Sequence, residues 1–127
     1  MPNLDISKHN IDHMLHIYSD LHDNWDNQGA VAPSHVTLSN STNFWHLVQQ
    51  FQIELPAMYL SKDGEVNFIW SSTNTSVYID ISFNENGFYC YAKDAEGREV
   101  MSEKEGYDER ELKCILNLLM YQNTQSK

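Results

Sequence analysis

The spacing of apolar residues divides the chain into two regimes, with the change near Ala57. Upstream the period is helical. Ser7 is placed to cap a helix running to about Asp23, in which Ile11, Met14, Leu15, Tyr18 and Leu21 share one face. Ser34, just after Pro33, can cap a second helix continuing to about Gln52, with Phe44, Leu47, Val48 and Phe51 at helical spacing. Its first half, "TLSNSTN", has poor intrinsic propensity and must be held by packing or fray. Pro56 bars simple continuation of this helix.

From Ala57 the period becomes two. "AMYLS", "VNFIWS", "VYIDISF" and "FYCYA" alternate as strands, separated by "KDGE", "STNTS" and "NENG". Val66, Phe68 and Trp70 share one side of the second strand. Val77, Ile79, Ile81 and Phe83 share one side of the third, with Tyr78, Asp80 and Ser82 on the other. Short connections between such strands predict antiparallel hairpins, hence a four-stranded meander with helices on one face and the other face partly wet. Residues 93–107, "KDAEGREVMSEKEGY", read as a charged connection with room for a short fifth strand around Glu99 to Ser102. Asp108 then caps a final helix with the apolar stripe Leu112, Ile115, Leu116 and Leu119, and "QNTQSK" reads as a frayed tail. The expected fold is α+β over residues 1–127 as a single domain: two N-terminal helices, a four-stranded antiparallel meander and a C-terminal helix.

Between the first two helices, "LHDNWDNQGAVAP" reads as a chain reversal. Asn24 and Asp26 can form Asx turns, Asn27 and Gly29 can take left-handed conformations, and Trp25, projected onto the first helix, falls on its core face. Two pieces of the chain, "NWDNQGA" (Asn24 to Ala30) and "DGEVNFIW" (Asp63 to Trp70), resemble a pattern of small, mostly uncharacterised bacterial and phage proteins. That pattern has a helix ending in Asn-Trp-Asp-Gly-x-Gly-Ala and a strand pair carrying Asp-Gly-Glu/Gly-x-x-x-x-Trp. The resemblance spans about residues 15 to 90 and departs at Asn27, where the pattern has glycine. It implies the fold layout and a prokaryotic or phage origin, and it supplies no catalytic residue.

Charge narrows the choice of partner. Eighteen acids against eight bases give a net charge of −10. Bare nucleic acid is an unsuitable ligand for such a surface, because phosphate binding needs a basic footprint. A basic protein surface is the better match. No apolar run is long enough to cross a bilayer, and Met1 to Asn10 lacks a basic segment followed by an apolar one, so no membrane partner and a cytosolic location are expected. The sequons at Asn40 and Asn74 would matter only in a secreted protein.

Signatures of chemistry are sparse. His9, His13, His16 and Asp20 line one helix face, but a single helix face rarely completes a metal site, and there is no H-E-x-x-H. Cys90, in an aromatic strand, and Cys114, placed on the apolar face of the last helix, read as small buried hydrophobes. No nucleophile elbow or phosphate-cradling glycine loop occurs. The expectation is a protein without catalytic residues, metal or cofactor.

Binding is the remaining class. Tyr78, Tyr89 and Tyr91 fall on the less buried strand faces, where tyrosine supplies contact area at low entropic cost. The candidate contact set is these three with Asp12, Asp20, Asp23, Asp26, Glu96, Glu99, Glu103 and Glu105. The sequence therefore points to an acidic binding protein that neutralises a larger basic protein, such as an immunity protein, an antitoxin or a phage-encoded inhibitor of host defence. Alternatives are a homo-oligomeric accessory scaffold and a histidine-based metal-binding protein.

Overall fold

A computed structural model of the protein describes residues 8–71 and 76–125, with side chains described for residues 10–71 and 76–120. Helix α1 (Lys8–Ser19) and helix α2 (His35–Val48) precede five strands: β1 (Ala57–Leu60), β2 (Val66–Ser71), β3 (Tyr78–Phe83), β4 (Gly87–Lys93) and β5 (Glu99–Glu105). Helix α3 (Glu109–Gln125) closes the chain. The strands pair antiparallel in sequential order β1-β2-β3-β4-β5. The expected Ser7 cap, the His9 side chain and most of "STNTS" lie outside the described residues.

The α+β meander has five strands, not four. β5 pairs with β4 over seven positions, from Lys93↔Glu99 to Gly87↔Glu105, and is longer than the short strand allowed for around Glu99 to Ser102. Its sequence, EVMSEKE, carries no core alternation because it is an edge strand held by main-chain pairing and by one side-chain bond to α3. In that bond the Ser102 hydroxyl donates to Glu111 Oε2 at 2.7 Å. The β4–β5 turn is built by Asp94, whose Oδ1 accepts from the amides of Glu96 and Arg98 while Oδ2 pairs with Arg98 Nε at 2.9 Å. Gly87 makes the closest strand approach possible. Its φ is +154°, and a Cβ there would lie 1.9 Å from the Lys104 carbonyl oxygen.

Every element except β5 contributes to one core. Phe44 on α2 is its hub, with ring centroids 5.0 Å from Phe68, 5.2 Å from Phe83 and 6.1 Å from Trp70. Ile79, Ile81, Phe88, Cys90 and Ala92 extend it across the sheet, and Leu112, Ile115, Leu116 and Leu119 cover it from α3. The helices therefore lie on the face carrying the apolar alternates. The weak-propensity segment of α2 is held by packing. Thr37, Asn40 and Ser41 are buried, the Ser41 hydroxyl returns to the Thr37 carbonyl at 2.7 Å, and Ser34 Oγ caps the helix by accepting from the Thr37 amide. Asp108 caps α3 in the same way, through the Glu111 amide.

Several boundaries and burials differ from the sequence expectation. α1 stops at Ser19, whose hydroxyl donates to the His16 carbonyl, and α2 stops at Val48. α3 runs on through part of the expected tail, to Gln125. Met14 is 37% exposed and Leu21 only partly buried, so the buried stripe of α1 narrows to Ile11, Leu15 and Tyr18. Cys90 is fully buried, and burial, with the nearby acids Glu111 and Asp80, pushes its thiol up to about 12. Cys114 is exposed, contrary to expectation: it lies roughly 200° from Leu112 on the helix wheel, across from the stripe.

Candidate protein-binding face

The register fixes what the uncovered side of the sheet presents. Tyr59, Asn67, Ser82, Tyr89 and Glu103 form one transverse row from β1 to β5, and Ala57, Ile69, Asp80, Tyr91 and Met101 form the next. Ser71, Tyr78, Lys93 and Glu99 make a third. Because directly opposed residues of an antiparallel pair point the same way, the three expected tyrosines share this open face with Glu99, Glu103 and Glu105. Tyr89 is 42% exposed, Tyr59 45% and Met101 64%, so this face carries the largest exposed aromatic groups of the sheet.

The face is internally organised. The Tyr91 hydroxyl donates to Glu99 Oε2 at 2.7 Å, and this bond is the main reason its phenol is raised above the ordinary value. The Tyr89 hydroxyl reaches Met101 Sδ at 3.3 Å, and the Tyr78 and Tyr91 rings lie 5.9 Å apart, tilted by 57°. Under them Ser82 donates to Asn67 Oδ1, and Asn67 donates to the Glu65 carbonyl. Asp80 sits in the middle strand, and burial raises its carboxyl above the usual range. Its Oδ1 is buried without a partner among the described residues. Glu103 and Glu105 also border a groove of about 440 Å³ with Asn84, Asn86 and Lys104.

The remaining acids have other positions. Asp12 accepts the Trp45 indole N–H at 2.8 Å and, with His16 and His35, lines a groove of about 490 Å³ between α1 and α2. Asp20 is exposed at the end of α1. Glu96 is in the β4–β5 turn, ion-paired with Arg98 at 2.9 Å. Asp23 and Asp26 build the interhelical loop: Asp23 Oδ1 accepts the Ala32 amide, and Asp26 Oδ1 accepts the amides of Gln28 and Ala30. Asn24, Asn27 and Gly29 all have positive φ, and Asn24 Oδ1 takes the Gly29 amide. Trp25 is placed by this loop and not by the helix, with its indole N–H donating to the Val31 carbonyl.

The two sequence pieces "NWDNQGA" and "DGEVNFIW" are brought together by their flanks. The Val31 amide bonds the Lys62 carbonyl at 2.8 Å, and Gly64, at φ +83°, turns so close that a Cβ would lie 3.0 Å from the Ala32 carbonyl. The loop is thus a structural corner. The Gln28 amide is the first cause holding Asp26 below the usual carboxylate range. A depressed folded pKa stabilises at neutral pH and loses that effect as pH falls through it. Asp26→Asn should therefore lower the thermal midpoint at neutral pH, and the gap to wild type should close in strong acid; a gap independent of pH would contradict this role.

Sequence reasoning missed Tyr59 and Met101, and it placed Asp80 on the correct side without assigning it a part. The alternation in "AMYLS" is too shallow to show which side Tyr59 takes, and Met101 depends on a strand whose two apolar residues, Val100 and Met101, are adjacent and so give no alternation. Among the described residues, no three or more His, Cys, Asp or Glu side chains are grouped to hold a metal, and no helix is long and apolar enough to cross a membrane. No family model matches the chain, and neither a curated protein nor a solved structure shows significant similarity to it.

Proposed function

We infer that this chain is a non-enzymatic acidic binding protein that inhibits or neutralises a larger protein with a basic surface, in the manner of an immunity protein, an antitoxin or a phage inhibitor of host defence. The observation that carries this reading is the open sheet face, where Tyr59, Tyr78, Tyr89 and Tyr91 stand beside Glu99, Glu103 and Glu105, with Lys93 the one base in register. Tyrosines give area and hydrogen-bonding tips, and a net charge of −10 speeds encounter with a cationic surface. A nuclease or a nucleic-acid-guided complex offers such a surface in its groove. Glu99, Glu103 and Glu105 recur every second or fourth residue along β5, so their carboxylates form a line that a phosphate-binding groove can accept.

Self-association through the same face is disfavoured, because two copies would oppose acid to acid, and the β5 edge carries charges at both of its ends. The test is affinity capture with the full chain from the source cell at low and at roughly 0.5 M salt, an ionic strength at which surface charges are screened beyond a few Å. The expected result is a basic, nucleic-acid-binding protein retained at low salt and released at high salt. Capture that is indifferent to salt, or a dimer of this chain alone, would overturn the reading.

A further inference from the structure

The two edges of the sheet are unlike. β5 is charged at both ends and bonded to α3 through Ser102, whereas β1 carries no charge at all. Where β1 leaves the sheet, the Ser61 amide donates to the Glu65 carbonyl, so Tyr59 and Ala57, which alternate with Ser61, also turn their main chain towards β2. The N–H and C=O groups of Met58 and Leu60 therefore point away from β2, and they have no hydrogen-bond partner among the described residues. Just past the strand the Lys62 carbonyl is taken by the Val31 amide at 2.8 Å. Another segment of backbone thus fits against this side of the hairpin, and beside Met58 and Leu60 the lane is open.

The helices roof that lane. α2 packs between α1 and α3, and α3 is bonded to β5, so α1 lies over the β1 side of the sheet. Asp12 and His16 turn one flank of α1 to α2, while Met14 and Ile17, 37% and 38% exposed, are on the opposite flank. Three helices spaced about 10 Å apart cover about 30 Å, and five strands spaced about 4.8 Å cover about 24 Å. The helical layer is wider by about one strand, which leaves the outer flank of α1 without a floor. On the open face, burial and then the charges of Asp80 and Glu65 raise the Tyr59 phenol, so that side of the lane is acidic.

We propose that an extended segment of the basic partner adds to β1 as a sixth, antiparallel strand, bonding the main chain of Met58 and Leu60, with apolar side chains beneath Met14 and Ile17 and basic ones beside Tyr59. This rests on the reading of the chain as a binder of basic proteins. A second copy fits poorly. Joining two β1 edges about a twofold axis puts both helical layers on one face, where the overhanging α1 helices claim the same space, and each copy carries a charge of −10.

The test titrates the full chain at low ionic strength with an eight-residue peptide alternating lysine and valine, and with one in which four lysines precede four valines. The alternating peptide should bind about 10-fold or more tightly than the block peptide. Residues directly opposed in an antiparallel pair point the same way, so the valines lie opposite Met58 and Leu60 and supply the amides. N-methylation of the valine amides should therefore weaken binding by about 10-fold or more, and methylation of the lysine amides by no more than about 2-fold. Met58→Pro removes an outward N–H and should weaken binding by about 10-fold, whereas Met101→Pro, the same change facing outward on β5, should weaken it by no more than about 2-fold. Ile17→Ser, at an exposed helix position, should fold normally and also weaken binding. Equal binding of the two unmodified peptides, equal losses from the two methylations, or equal losses from the two proline variants would overturn strand addition at β1. Each leaves the acidic-binder reading standing, since salt-dependent capture tests that separately. A wild-type dimer that Met58→Pro dissociates would overturn the proposal in favour of a second copy.

Discussion

Trp45→Ala should lower the unfolding free energy by about 3–5 kcal/mol, the range for truncating a fully buried large aromatic side chain. Trp45 is completely enclosed on α2, and its indole N–H spans to Asp12 on α1, so one side chain fills the core and ties the two N-terminal helices. Removing the partner instead isolates the hydrogen bond. Asp12→Ala should cost about 1–2 kcal/mol, because the indole N–H is then left unmet in a largely buried setting. Denaturant midpoints of the two variants check both statements. A loss below about 1 kcal/mol for Trp45→Ala would show that α1 and α2 do not depend on this contact. Asp12 is therefore a structural residue on this account, and any loss of binding in Asp12→Ala should follow its loss of stability.

The parts of the fold that were legible in the sequence are those fixed by short-range rules. The change of period at Ala57, the caps at Ser34 and Asp108, and the left-handed positions Asn27 and Gly29 each depend on residues within a few positions of one another. The parts that were not legible depend on distant partners. α1 ends at Ser19 because the loop that follows is satisfied by Asp23, Asn24 and Asp26, and those carboxylate and amide bonds appear only once Ala30 and Ala32 fold back onto them. β5 has only two apolar residues, Val100 and Met101, adjacent and therefore on opposite faces, and is recruited by pairing with β4, so no hydrophobic alternation announces it. Met14 sits at the margin of its helical stripe, where burial is decided by how far the neighbouring elements extend, whereas Cys114 lies across the helix from its stripe and is exposed for that reason.

The candidate site follows the same division. That Tyr78 faces away from Ile79 and Ile81 is visible from alternation alone. That Glu99, Glu103 and Glu105 join Tyr78, Tyr89 and Tyr91, while Asp12 and Asp20 remain with the helices, is a property of the β4–β5 register, which the Asp94 turn sets. The buried carboxylate oxygen of Asp80, without a partner among the described residues, cannot be read from a sequence at all, since it depends on which side chains fail to reach it.

Reversing charge on the sheet face should have the largest effect on binding. Glu99→Lys combined with Glu103→Lys changes the open face by four charge units along a solvent-exposed edge strand, where neither side chain is part of the core. Placed against a basic partner, the new lysines exchange attraction for repulsion, and like charges across an interface cost several kcal/mol before screening. The expected loss of affinity is about 100-fold at low salt, or about 2.7 kcal/mol, shrinking as salt is raised. Folding should be preserved, because substitutions on an exposed edge away from caps and core contacts usually fall within about 0.5 kcal/mol. The decisive measurement is the affinity of the captured partner for the wild type, for this variant, and for a control with the same charge change on the helical side, Asp20→Lys with Glu109→Lys. The account predicts that the sheet-face variant loses about 100-fold and the helical-side variant less than about 10-fold. Equal losses, or a larger loss from the helical side, would contradict the assignment of the open sheet face as the binding surface.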